Sequence, residues 1–196
     1  MGADLLAGTE KYWLKGLAYY DAGARSFYTR KKKINRPNDL KGLKIRVMES
    51  KTAFDMVKSL GGSPTPISYG ELYTSLQQGV VDGAENNPPS FYLSKHYEVC
   101  KYYTLDEHTL LPDVLLISTH TWNKLTNQEK DWITIAVDLS VIEQRKLWAK
   151  SEKESLDAVQ RAGVEIIIPD KKLFSEKSKN VLESYKSDDE IYSFID

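Results

Sequence analysis

Three features of the 196-residue sequence predict an α/β fold. Apolar runs of strand length alternate with segments whose apolar residues recur at helical spacing. A stretch free of Pro and Gly runs from Thr126-Asn127-Gln128-Glu129 to Ala162, where Gly163 supplies a stop. Asp113-Val114-Leu115-Leu116-Ile117-Ser118 is a continuous apolar run of the kind buried on both faces of a parallel sheet. Strands separated by helices imply largely parallel pairing.

The elements follow in order. Leu14–Tyr20 is apolar and aromatic enough for a buried strand, broken by Asp21-Ala22-Gly23. Lys44-Ile45-Arg46-Val47-Met48 reads as a strand with Arg46 on the face opposite Ile45 and Val47. Thr52–Leu60 carries Ala53, Met56, Val57 and Leu60 at helical spacing and stops at Gly61-Gly62. Ser63–Ser68 is a short extended piece, and Gly70–Gln78 is helical. Val80-Val81-Asp82-Gly83 is too short for a helix and is expected as a strand leading into the polar turn Asp82–Pro89. Pro88–Tyr97 is a short helix with proline in its first turn. The long helix beginning near 127 holds about 35 residues, or about 54 Å. A mean helix is near 11–12 residues, so this one is expected to cross more than one structural unit. Val164–Ile168 is a further strand, followed by one or two short helices.

Composition excludes several classes. There are 27 Lys+Arg against 28 Asp+Glu, so no basic surplus exists for a general nucleic-acid binder. The first 98 residues run to +4 and the rest to −5. Arg30-Lys31-Lys32-Lys33 supplies much of the early excess and reads as a solvated loop. The single cysteine, Cys100, excludes an internal disulfide and a multi-cysteine metal site. No run reaches the roughly 18 apolar residues of a membrane-spanning helix. Met1-Gly2-Ala3-Asp4-Leu5-Leu6 lacks the basic and apolar regions of a secretory signal.

Catalytic signals are weak. His96, His108 and His120 have no nucleophile-elbow motif beside them, and each is expected to be a surface or hydrogen-bonding histidine. Cys100 is expected to be a packed small residue. No phosphate-binding glycine loop is present. Asp106-Glu107-His108 contains metal-ligand types without a partner cluster of recognisable spacing. Two arginines in apolar settings stand out instead. Arg46 lies between Ile45 and Val47, and Arg25 lies in Asp21-Ala22-Gly23-Ala24-Arg25-Ser26-Phe27-Tyr28. A guanidinium withdrawn from water needs an anionic partner. That partner is either an internal Asp or Glu, or a bound carboxylate held by two parallel bonds. Asn86, in the polar run closing a strand, is either an amide ligand or a turn residue.

Those residues, with Asp39–Val47, Gly62-Ser63-Pro64-Thr65-Pro66 and Tyr69–Asn86, resemble the substrate-binding subunits of tripartite ATP-independent periplasmic (TRAP) transporters, the DctP-like family. The resemblance covers essentially the whole chain. It implies a type II periplasmic-binding-protein-like fold, whose two α/β lobes close on a ligand, with a long helix crossing both. It implies that Arg46 forms the bidentate salt bridge to a ligand carboxylate, with Arg25 as a second arginine and Asn86 as an amide partner. Tyr69 falls at a pocket-aromatic position and Glu49 where some members contact the rest of the ligand. The implied protein is not an enzyme. It has no cofactor, no metal and no catalytic residue, and it delivers an organic acid to membrane permease subunits from the periplasm. It binds no nucleic acid and does not itself span the membrane.

The wording around Arg25 resembles the branch that handles sugar acids such as hexuronates; small C4-type dicarboxylates are the alternative ligands. Outside that class, the alternatives are an enzyme anchoring an acidic substrate and a fragment that binds nothing. Against the family's plan the chain is N-terminally truncated, so the first lobe is incomplete. Residues 1–22 and 112–151 would be its remnant, with 23–111 and 152–196 the second lobe and the helix at about 127–162 crossing both. The Asp113–Ser118 strand and half of the long helix would then expose an apolar face.

Overall fold

A computed structural model describes residues 2–186. The chain divides into two compact units, one formed by the residues up to Gly23 with Leu111–Ser151, the other by Ala24–Leu110 with the residues from Glu152 onward.

In the first unit, α1 (Gly2–Gly8) and a 3-10 turn (Thr9–Tyr12) lead into β1 (Leu14–Tyr20), which pairs antiparallel with β7 (Asp113–Ser118) as a two-stranded ribbon. This overturns the burial on both faces that the apolar run Asp113–Ser118 suggests, and it agrees with the exposed apolar face expected there on the family's plan. Among the described residues its one strand neighbour is β1, and Val114 and Leu116 are exposed, whereas a strand buried on both faces would hide them. The short helix α5 (Thr119–Lys124) follows. It was invisible as a separate element because Thr119-His120-Thr121-Trp122 has no apolar period.

Helix α6 (Asn127–Arg161) forms without interruption. The capping box closes in both directions. Thr126 N donates to Glu129 Oε2 at 2.7 Å, and Glu129 N donates to Thr126 Oγ1 at 3.3 Å. Gly163, at φ +91°, turns the chain out of it. Trp132, Ile135, Leu139 and Ile142 on this helix are exposed, so an apolar face is open as expected.

The second unit is built on a six-stranded sheet in the order β4-β3-β5-β2-β6-β8. Its strands are β2 (Ala24–Thr29), β3 (Lys44–Val47), β4 (Ser63–Pro66), β5 (Gly83–Asn86), β6 (Tyr102–Leu110) and β8 (Glu165–Ile167). Pairings β3–β4, β3–β5 and β6–β8 are parallel, while β2 runs antiparallel to both β5 and β6. With the β1–β7 ribbon also antiparallel, pairing is mixed rather than largely parallel. Strand β2 follows β1 after a three-residue loop and lies between β5 and β6, antiparallel to both.

Two cores flank the sheet because side chains alternate along each strand. Phe27, Ile45 and Val47 meet Leu40, Val57, Leu60 and Phe174 on one side. Tyr28 and Ala84 meet Leu72, Leu76, Phe91, Tyr103 and Val159 on the other. Helix α2 (Lys51–Ser59), with Ser50 Oγ accepting from Ala53 N, and α7 (Lys171–Glu183) serve the first core. Helices α3 (Leu72–Gln78) and α4 (Pro88–Leu93) serve the second.

The strand expected at Val80–Gly83 starts instead at Gly83 and runs to Asn86. Register with β2 requires this. Gly83 sits opposite Thr29 so closely that a Cβ would collide with the Tyr28 carbonyl oxygen. Half of the run Asp82–Pro89 is therefore strand, its two prolines open a helix, and Glu85, Asn86 and Asn87 are buried.

Candidate functional site

The carboxyl ends of parallel strands β3 and β5 bring several of the singled-out residues together, a usual ligand position in α/β sheets. Arg46 is the third residue of four-residue β3, and Asn86 is the last of β5. Strand β2 runs the other way, so Arg25, near its start, lies at the same end; Ser26 pairs with Asn86.

The two arginines are held differently. Arg25 is locked. Its Nε bonds Glu85 Oε2, and its Nη2 donates to Glu85 Oε1 at 3.0 Å and to the Glu85 carbonyl at 3.1 Å. Glu85 in turn lies 3.8 Å from His108 Nε2, and His108 Nδ1 is 2.8 Å from Asp106 Oδ2. Asp106 Oδ1 accepts from Phe27 N at 3.1 Å, and the Phe27 ring stacks on His108 at 4.2 Å. Arg25, Glu85, His108 and Asp106 thus form an alternating row of charges with little solvent contact, the Glu85 and His108 side chains being 5% and 2% exposed.

Burial alone would lower the His108 pKa, but the Asp106 and Glu85 carboxylates outweigh it and raise it to about 9. Burial alone would raise that of Glu85, yet hydrogen bonds to His108 and Arg25 bring it below the ordinary carboxylate value. Arg25 is likewise raised: burial opposes its charge, and Glu85 overcomes that.

Arg46 has no such partner. It is only 4% exposed, and its single hydrogen bond among the described residues runs from Nε to the Ile67 carbonyl at 2.8 Å. Burial lowers its pKa; Arg25 pushes the same way, while Tyr28, Glu85 and Tyr69 act against them. The Tyr69 ring covers the guanidinium at 5.6 Å from Cζ. Tyr69 itself is 45% exposed, and its hydroxyl bonds Ser94 Oγ.

Asn86 is buried. Its Oδ1 accepts from Asn87 N at 2.9 Å and its carbonyl accepts from the Tyr103 hydroxyl at 2.8 Å, while Nδ2 has no acceptor among the described residues. Glu49 stands apart. It is exposed beyond the end of β3 and makes no hydrogen bond or ion pair among the described residues.

Some of these supports were missed from sequence. Glu85 adjoins Asn86 in a polar run that reads as a turn in the sequence, so composition does not single it out. Asp106 and His108 flank Glu107, which takes φ +50° where the β2–β6 register shifts, and that irregularity accompanies the pairing of their side chains. His96 is buried with Nδ1 2.8 Å from the Tyr28 hydroxyl; burial first, then Arg46, drops its pKa to about 4 and keeps the ring neutral. The hydrogen-bonding role expected for His96 and His108 is what they have. No group of three metal-ligating side chains occurs among the described residues. No helix there is long and apolar enough to cross a membrane.

Chemically, the site offers one buried cation whose Nη groups lack a carboxylate, a second cation already neutralised, and a free amide N–H. That set suits a planar anion with two acceptor oxygens.

The known proteins that this chain resembles fit that chemistry. A TRAP periplasmic solute-binding protein from Sulfitobacter sp. NAS-14.1, solved with bound β-D-galacturonate, is 41% identical with a TM-score of 0.93, over 98% of this chain and 64% of that one. One from Chromohalobacter salexigens, with bound D-glucuronate, is 36% identical with a TM-score of 0.93, over 96% and 63%. The 2,3-diketo-L-gulonate-binding periplasmic protein YiaO of Escherichia coli is 32% identical over 92% of this chain and 55% of its own length. The chain therefore spans about half the length of the curated relatives it matches and just under two thirds of the solved ones. The family model for bacterial extracellular solute-binding proteins, family 7 (DctP), matches residues 1–188. With the fold, the arginine-bearing strand ends and this match in agreement, the chain belongs to the DctP family of solute-binding proteins, a family of receptors rather than enzymes.

Proposed function

We propose that this chain carries the carboxylate-gripping part of a periplasmic receptor for a sugar acid of the hexuronate type, which hands its ligand to TRAP membrane permease subunits. Arg46 takes the ligand carboxylate through both Nη groups, and Asn86 Nδ2 donates to the same group. Arg25 adds positive potential from its fixed place beside Glu85. Tyr69 walls the guanidinium, and Glu49 reaches the distal hydroxyls of the sugar. The unit containing Ala24–Leu110 is the second lobe, and the unit containing β1 and β7 is the part of the first lobe that this chain carries.

The observation that carries the proposal is the Arg46 guanidinium, buried without a carboxylate partner among the described residues. An ionised group so placed is costly unless something anionic completes it. A ligand carboxylate does so in a poorly hydrated site, where the attraction is stronger than in water. The galacturonate and glucuronate bound in the similar structures support the uronate class.

Calorimetric titration of the chain with D-galacturonate, D-glucuronate and succinate tests this. The two uronates are expected to bind more tightly than succinate, and Arg46→Ala to cost about 2–5 kcal/mol, or about 30- to 5,000-fold in affinity. Equal binding by Arg46→Ala, or indifference to both uronates, overturns it.

A further inference from the structure

The turn after α4 reaches back to the arginine. Helix α4 stops at Leu93, and Lys95 then takes φ +58°, a left-handed conformation uncommon for a long L side chain. Both flanking residues contact Tyr69. The Ser94 hydroxyl bonds the Tyr69 hydroxyl, and the His96 ring meets the Tyr69 ring edge-on at 5.8 Å and 66°. His96 is buried and tied through Nδ1 to the hydroxyl of Tyr28, a fully buried residue of β2. Contacts thus run unbroken from the sheet through His96 and Tyr69 to Arg46.

Resting on the carboxylate role of Arg46, we propose that Ser94-Lys95-His96 is a clamp of positioning residues that fixes Tyr69 over the guanidinium and presets it for an in-plane carboxylate. Arg46 has one hydrogen bond, at Nε, which leaves the long side chain under-restrained. A ring held across one face removes that freedom before ligand arrives, so less rotamer entropy is lost on binding. The same ring blocks approach from above and leaves the guanidinium edge, where two parallel N–H···O bonds form.

The test uses the whole chain and D-galacturonate, with affinity read by calorimetry. Tyr69→Phe and Ser94→Ala remove the same hydrogen bond from opposite ends. Each is expected to weaken binding about 3- to 10-fold, the worth of one hydrogen bond, and the double variant no further than the weaker single. His96→Asn, which keeps a polar atom near the Nδ1 position, is expected to bind better than His96→Leu. Wild-type affinity in Tyr69→Phe and Ser94→Ala, with binding lost in Arg46→Ala, overturns the clamp and leaves the carboxylate role intact. Unchanged affinity in Arg46→Ala overturns that role instead. A second readout needs no ligand: water exchange of the Arg46 Nε–H, followed by nitrogen-15 NMR and assigned by its loss in Arg46→Lys. Exchange is expected to quicken severalfold in Ser94→Ala, and an unchanged rate overturns the clamp even where the chain binds no uronate.

Discussion

Replacing Glu85 with Gln tests the buried charge row most directly. In the native unit Asp106, His108, Glu85 and Arg25 alternate in sign and sum to zero. Glu85→Gln keeps the shape and leaves one net positive charge among side chains at most 15% exposed. Removing one partner of a buried ion pair costs about 3–5 kcal/mol, and the retained amide oxygen puts this change at about 3 kcal/mol. For a chain of this size each kcal/mol moves Tm by about 2–4 °C, so a fall of about 6–12 °C is expected in calorimetry at pH 6.

The pH dependence carries a sign. The folded pKa of His108 is raised to about 9, so its contribution is complete below the unfolded value of 6.5 and is lost as pH climbs through 9. That shift corresponds to about 3 kcal/mol. Glu85 is lowered, so its contribution is present above 4.5 and is lost as pH falls through its folded value. Native stability from these two groups is therefore greatest between about pH 4.5 and 6.5. Glu85→Gln flattens the alkaline limb, because His108 keeps only Asp106. A Tm within about 2 °C of the native chain, with the alkaline limb intact, would refute the charge-row argument.

Three further outcomes follow from the same geometry. Arg46→Met is expected to raise stability by about 1 kcal/mol, because it removes an uncompensated buried charge at the loss of one hydrogen bond to Ile67; a lower melting temperature counts against the guanidinium being unpaired. Gly83→Ala is expected to lose about 1–3 kcal/mol in urea titration, since the added methyl meets the Tyr28 backbone rather than a movable side chain. Cys100, fully buried and with its thiol pushed up to about 12 by that burial, is expected to ignore a thiol reagent at pH 8 until denaturant is added; immediate labelling of the native chain contradicts its packing.

Much of the fold was legible because local rules and tertiary context agree in it. The Thr126–Glu129 capping box and Gly163 fixed both ends of α6, each signal acting within a few residues of its own position. Alternation placed Arg46 opposite Ile45 and Val47, and those two are indeed buried in the α2-side core. What escaped depends on partners distant in sequence. Strand β5 begins three residues later than expected because its start is set by register with β2, some fifty residues upstream. The exposed face of β7 reflects what packs on it, which apolar content alone does not encode. The site divides the same way. An arginine within an apolar strand announced a buried cation, but the choice between internal and bound carboxylate rested on Glu85, 60 positions away from Arg25.

The two arginines differ in this respect: Arg25 has an internal carboxylate partner in Glu85, and Arg46 has none among the described residues. Had both guanidinia been paired internally, an incoming carboxylate would have to break an ion pair to bind. Had both been unpaired, two neighbouring buried cations would repel one another and weigh heavily on the fold. One carboxylate, Glu85, held in its charged form by His108 and Arg25, neutralises Arg25 and also favours the charged form of Arg46 without bonding it. The cost of an uncompensated cation then falls on Arg46 alone, which is what the proposed carboxylate role requires. On the proposed role, a carboxylate would complete that balance, whereas a neutral sugar would leave Arg46 as costly as before.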